Sequence, residues 1–135
     1  MHQFCQPPNA FQFARRGGSF NGSCPAELQY DFFGAYNDGR RVHQAETELN
    51  TARSELSNLE QRRRNYDEDI RNAEAALAAA TTEEERVRWR AEVDRFRRER
   101  HDMSHDIEDV ERRAYYAQRR LDDLRYEIGY RWAPW

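Results

Sequence analysis

The sequence contains no lysine; all 22 basic residues are arginine. Arginine's planar fork pairs bidentately with carboxylates, and 25 Asp and Glu residues bring the formal net charge to −3. That balance gives no reason to expect a nucleic-acid partner. Apolar residues are also scarce. They make up 38 % of the chain, against 35 % charged. An ordinary compact globule carries more apolar and fewer charged residues. Helices that bury only one narrow stripe each do not need them. No apolar run approaches the ~20 residues that cross a bilayer, so no transmembrane segment is expected. No signal-peptide pattern is read either. Cysteine is limited to Cys5 and Cys24. Only His2 lies near them, and a tetrahedral zinc site needs four ligands, which argues against zinc there.

What is present is heptad periodicity. One stripe runs Val42, Ala45, Leu49, Ala52, Leu56, Leu59, Tyr66, Ile70, Ala73, Leu77 and Ala80. A second runs Trp89, Val93, Phe96, Met103, Ile107, Val110, Ala114, Ala117, Leu121, Leu124 and Ile128. Alternating steps of three and four predict two long helices joined along an apolar seam. Residues 25–80 form the first expected helix, 81–82 the turn and 83–131 the second. Pro25 suits a first helical turn. Thr82 with Glu85 makes a capping-box pattern, and Glu83, Glu84 and Glu85 favour the positive end of the helix dipole. Asn37-Asp38-Gly39 is the weak point of the first helix, since Gly costs about 1 kcal/mol relative to Ala. Leu28, Ala35 and Val42 keep heptad phase across it, so continuity is expected.

A connection this short forces the helices antiparallel. The expected fold is all-α: a long antiparallel two-helix coiled-coil hairpin with a small irregular aromatic cap at its base. The preferred register sets Leu56 opposite Val110 and Leu59 opposite Ile107; a one-heptad slip sets Leu56 opposite Met103. Arg63 and Arg100 interrupt the seam. A buried unpaired guanidinium costs several kcal/mol, so each must snorkel outward or pair with a neighbour such as Asp67 or Glu99.

Residues 1–24 hold Phe4, Phe11, Phe13 and Phe20 among glycines and prolines, without sustained periodicity, and are expected to be a loop-rich cap. The aromatic tail, residues 132–135, is expected to share that cap. Cys5 and Cys24 fit either a bridge, worth about 3 kcal/mol for a loop of this length, or two reduced thiols; the bridge is preferred.

Phe4-Cys5, Asn9, Phe11, the stretch Gly17-Gly18-Ser19-Phe20-Asn21-Gly22, Cys24-Pro25-Ala26-Glu27-Leu28, Phe32-Phe33, Tyr36 and Asp38-Gly39-Arg40 together resemble the bacterial family known as domain of unknown function 2799, over residues 4–42. The resemblance implies a cell-envelope protein, periplasmic or envelope-associated, and strengthens the expectation of a Cys5–Cys24 disulfide. The family has no established catalytic residues, so none carry over.

Arg15-Arg16-Gly17-Gly18-Ser19 lacks the strand, helix and Lys of a phosphate-binding loop; glycines supplying turns explain it better. His101 and His105, four apart, are the one candidate metal pair, but they occupy outward heptad positions and a solvated helix face is the default. No resident metal or cofactor is expected. The arginines around positions 62–64 and 97–100 are interleaved with acids that neutralise them through i,i+4 pairs. No nucleophile–base arrangement is supported, and a two-helix body offers no concave site.

The chain is therefore expected to be non-enzymatic: a coiled-coil protein–protein interaction or assembly module, with a protein partner or a second copy of itself. Trp89, Tyr115, Tyr116, Trp132 and Trp135 are the interface candidates. The alternative is a periplasmic binding protein for a small ligand or metal, through the aromatic base or the His101/His105 pair.

Overall fold

The computed structural model describes residues 5–20, 22 and 24–132. All regular structure among them is helical: α1 spans Pro7–Arg15, α2 Ala26–Ala79 and α3 Glu83–Ile128. None of these helices is long and apolar enough to cross a membrane. The chain packs as two units, residues 1–51 with 114–135, and residues 52–113.

In the first unit the cap is more ordered than its sequence promised. Where residues 1–24 were expected to be loop-rich, α1 occupies nine of them. Pro7 and Pro8 sit in its first turn, where a missing N–H costs nothing. Ala10, Phe11 and Ala14 form its buried face. Nine residues and three apolar contacts are too few to register as periodicity, and paired prolines read as a breaker. Gly17 ends the helix with φ +93°. Its N–H donates to Ala14 O at 3.0 Å, and the Gly18 N–H donates to Phe13 O at 2.9 Å. This is the Schellman pattern of a glycine-terminated helix, so the Gly-Gly pair serves helix termination.

Gly39 explains why α1 can settle. A Cβ placed there would lie 2.4 Å from Phe11 O and 2.8 Å from the Ala14 Cβ. The backbone of α1 therefore rests directly on α2 at Gly39. The helix runs through Asn37-Asp38-Gly39 without a break, and the cost of a helical glycine is offset by the close contact. Cys5 and Cys24 form a disulfide with a Cα–Cα distance of 5.7 Å. It lies in one core with Phe11, Phe32, Ala35, Val42, Leu49, Leu121, Leu124 and Ile128. Phe20 meets Phe32 edge-on at 5.1 Å, and Tyr36 stacks on Phe32 at 5.6 Å. The Tyr36 hydroxyl accepts from Phe20 N at 3.3 Å and donates to Gly18 O at 3.4 Å, tying the loop to α2. α3 stops at Ile128 rather than 131 because Gly129 turns the chain with φ +54°, its N–H bonded to Arg125 O at 2.9 Å.

In the second unit the buried side chains fall on the expected stripes. Ala52, Ala73, Val93, Met103, Ile107 and Val110 are buried, while Leu56, Leu59, Tyr66, Ile70, Leu77 and Phe96 are half-buried. Thr82 caps α3: the Glu85 N–H donates to its Oγ1 at 3.2 Å. The reciprocal bond shifts by one residue, with Glu85 Oε2 accepting from the Thr81 N–H at 3.2 Å. Arg63 and Arg100 are both half-buried, and Arg100 pairs with Asp67, so this seam cation is neutralised locally.

Candidate functional site

The densest polar arrangement in the first unit is built around Asp38. Its position in α2 is a core position, and its side chain is only 10 % exposed. Burying a carboxylate is unfavourable unless it is paired and hydrogen-bonded, and three donors converge on it. Trp132 Nε1 donates to Oδ2 at 2.8 Å, Arg131 Nη1 to Oδ2 at 3.3 Å and Arg41 Nη1 to Oδ1 at 3.2 Å. Gly129 makes this possible by ending α3, so that Arg131 and Trp132 turn back over α2. The Trp132 ring then lies 3.3 Å from where a Gly34 Cβ would stand.

Arg41 extends the network to the surface, donating to both carboxylate oxygens of Glu127, at 3.2 and 2.8 Å. The hydrogen bond from Arg41 holds the Glu127 carboxyl below its ordinary value, and the guanidinium is raised in turn. Beside this pair lies a shallow groove of about 400 Å³, lined among others by Arg41, Tyr116, Arg119, Arg120 and Asp123. Arg120 is engaged with Glu48 at 3.0 Å.

The outer surface of this unit is aromatic. Tyr115 and Tyr116 are 60 % and 59 % exposed, and Tyr30, Tyr126 and Tyr130 are exposed to 90, 93 and 81 %. Tyr115 and Tyr116 contact one another edge-on at 5.4 Å. Ala117, next along the helix, is buried in the core. Trp132, expected at an interface, is committed to Asp38. Trp135 lies outside the described residues. Trp89, in the second unit, is half-buried beneath the Arg88 guanidinium, 5.1 Å from its ring. The structure thus keeps Tyr115 and Tyr116 together.

His101 and His105, also in the second unit, are exposed, with ring centroids 5.1 Å apart. No group of three or more potential metal ligands occurs among the described residues. Also in this unit, a hydrogen bond to Glu99 pushes the Tyr66 phenol up, and its ring lies 6.5 Å from that of Phe96.

Two features escaped the sequence reading. Asp38 read as part of a polar interruption, because nothing local announces that Trp132 covers it. Tyr126 carried no expectation, although Tyr115 and Tyr126 fall eleven apart, on one face of a helix.

Residues 1–41 match the model of a family described as a protein of unknown function, DUF2799, the family the head segment resembles. The match covers the disulfide, α1, the glycine turn and the Asp38–Gly39–Arg40 stretch. No curated protein matches the chain. No solved structure matches it either.

Proposed function

We propose, with that family match as premise, that this chain is a non-enzymatic cell-envelope protein acting as a helical interaction and assembly module. In this reading α2 and α3 fold back on one another as an antiparallel coiled-coil hairpin, and the cap clamps its base. Ion pairs between the two helices support that arrangement. In the first unit Arg41 pairs with Glu127 and Arg120 with Glu48; in the second Arg113 pairs with Glu55, Arg100 with Asp67 and Arg97 with Glu74. Within each unit the partner's number falls as the residue number rises. The second set favours the register with Leu56 opposite Val110. The buried Cys5–Cys24 bridge supports an oxidising compartment, and the periplasm or envelope is the location we infer.

The observation that carries the assembly role is the exposed tyrosine surface of α3. Tyrosine gives large contact area at low conformational cost and concentrates at binding hot spots. Analytical ultracentrifugation of the oxidised chain tests the proposal. Mass that rises with concentration, or a stoichiometric complex with a native envelope protein, is expected. A strict monomer at high concentration with no co-purifying protein overturns it.

A second reading, binding of a metal ion, draws on the contact between His101 and His105. A zinc-induced thermal shift of several degrees that is lost in His101→Ala would favour it over assembly.

A further inference from the structure

We propose that the outer face of α3 pairs with the same face of a second copy, antiparallel about a twofold axis between Arg119 and Asp122. The inference rests on the assembly reading above and specifies its partner, surface and register.

Tyr115, Arg119, Asp122 and Tyr126 follow one another at steps of four, three and four, and all four are exposed. At 3.6 residues per turn these steps keep the side chains within an arc of about 60°. The stripe lies opposite Ala117, Leu121 and Leu124, which face the core. Its spacing is that of a helix–helix seam, yet nothing in the chain covers it among the described residues.

The order of chemistry along the stripe reads aromatic, cation, anion, aromatic. Turned end for end, it is its own complement. In an antiparallel pair Tyr115 of one copy meets Tyr126 of the other, and Arg119 meets Asp122. The twofold axis makes each contact twice, as an isologous interface requires. Parallel, in-register docking instead sets Arg119 against Arg119 and Asp122 against Asp122, so the charges select the antiparallel mode.

Several neighbouring charges are already paired within the chain. Arg120 pairs with Glu48, Arg112 with Asp109 and Arg41 with Glu127. Arg119 makes no ion pair among the described residues, and Asp122 accepts from Gln118 at 3.0 Å but meets no cation. Arg119 and Asp122, each without an ionic partner among the described residues, are brought together by the symmetry.

Sedimentation equilibrium of the full, oxidised chain tests the register. The unaltered protein is expected to double in mass with concentration. Arg119→Asp and Asp122→Arg should each raise the dissociation constant at least tenfold, by facing like charges across the axis. The double variant R119D/D122R should restore dimerisation, and an equimolar mixture of the two single variants should form a heterodimer. All substitutions are at exposed positions; unchanged circular dichroism confirms the fold of each. If the single variants dimerise like the parent, copies pair through another face; if they lose dimerisation and neither the double variant nor the mixture recovers, this register is wrong. A strictly monomeric parent overturns the twofold pairing outright. The assembly reading then survives only if a native partner co-purifies.

Discussion

The Trp132 indole N–H donates to Asp38 Oδ2 at 2.8 Å, joining the segment beyond α3 to a buried carboxylate inside α2. The bond fixes two things at once. It satisfies an anion that would otherwise be costly to bury, and it presses the indole ring against Gly34. Asp38→Ala should leave the Trp132 indole N–H without its acceptor and remove one ionic partner from Arg131 and from Arg41. A loss of about 1–3 kcal/mol is expected, the usual cost of an unsatisfied buried group. Asp38→Asn, which keeps an acceptor but loses the charge, should lie between the parent and the alanine variant. Urea denaturation measures the stabilities. Tryptophan emission, compared with Trp132→Phe as background, should shift to the red in Asp38→Ala as Trp132 gains contact with water.

Gly39→Ala makes the opposite kind of test, because helix propensity and packing disagree about it. Alanine in mid-helix should stabilise by about 1 kcal/mol. The added methyl would press into the backbone of α1 at Phe11 O, and overpacking of this kind costs about 1–3 kcal/mol. Phe11 O is main chain, so it cannot rotate away. We expect net destabilisation, with faster amide exchange in residues 7–15 reporting that α1 has lifted. A more stable variant with protected α1 amides would show that the helices have room to separate.

These two residues also mark where the sequence was readable. The heptad stripes placed α2 and α3 to within one to three residues at their ends, because long helices repeat their signal many times. The Thr82–Glu85 cap was legible because capping is local. α1 was not, since a nine-residue helix repeats its pattern barely twice. Asp38 and Gly39 looked like a flaw in α2, because the partners that explain them, Phe11 and Trp132, lie far off along the chain. Of the interface candidates, Tyr115 and Tyr116 are exposed, while Trp132 turned inward for its N–H. Sequence gives a tryptophan's size; only its partners decide whether that size is spent inside or outside.

The disulfide should account for much of the cap's order. Cys5 and Cys24 are separated by 19 positions, a loop for which chain-entropy arithmetic gives about 3 kcal/mol. Cys5→Ser/Cys24→Ser should lower the melting temperature and release α1 from α2. The loss should register most strongly in the exchange of residues 5–20, with the α2 and α3 amides of residues 52–113 little changed. Uniform loss of protection along both long helices would mean that the bridge stabilises more than the cap.

Acid should weaken the first unit through Glu127. Its folded-state carboxyl is lowered from the ordinary value of 4.5 by the hydrogen bond from Arg41. A depressed carboxylate contributes stability that is complete above the unfolded value. As pH falls through 4.5, the unfolded chain takes up the proton first, so the contribution declines and is gone once pH passes below the folded value. Glu127 is at the surface, so the effect is small and salt-sensitive. Glu127→Gln should therefore lower stability slightly at pH 7 and match the parent at the acid end. The difference between the two denaturation curves, plotted against pH, should close between neutrality and the acid limit and shrink in high salt. A gap that widens on acidification would mean that the Glu127 carboxyl is raised in the folded protein, and that Arg41 serves Asp38 alone.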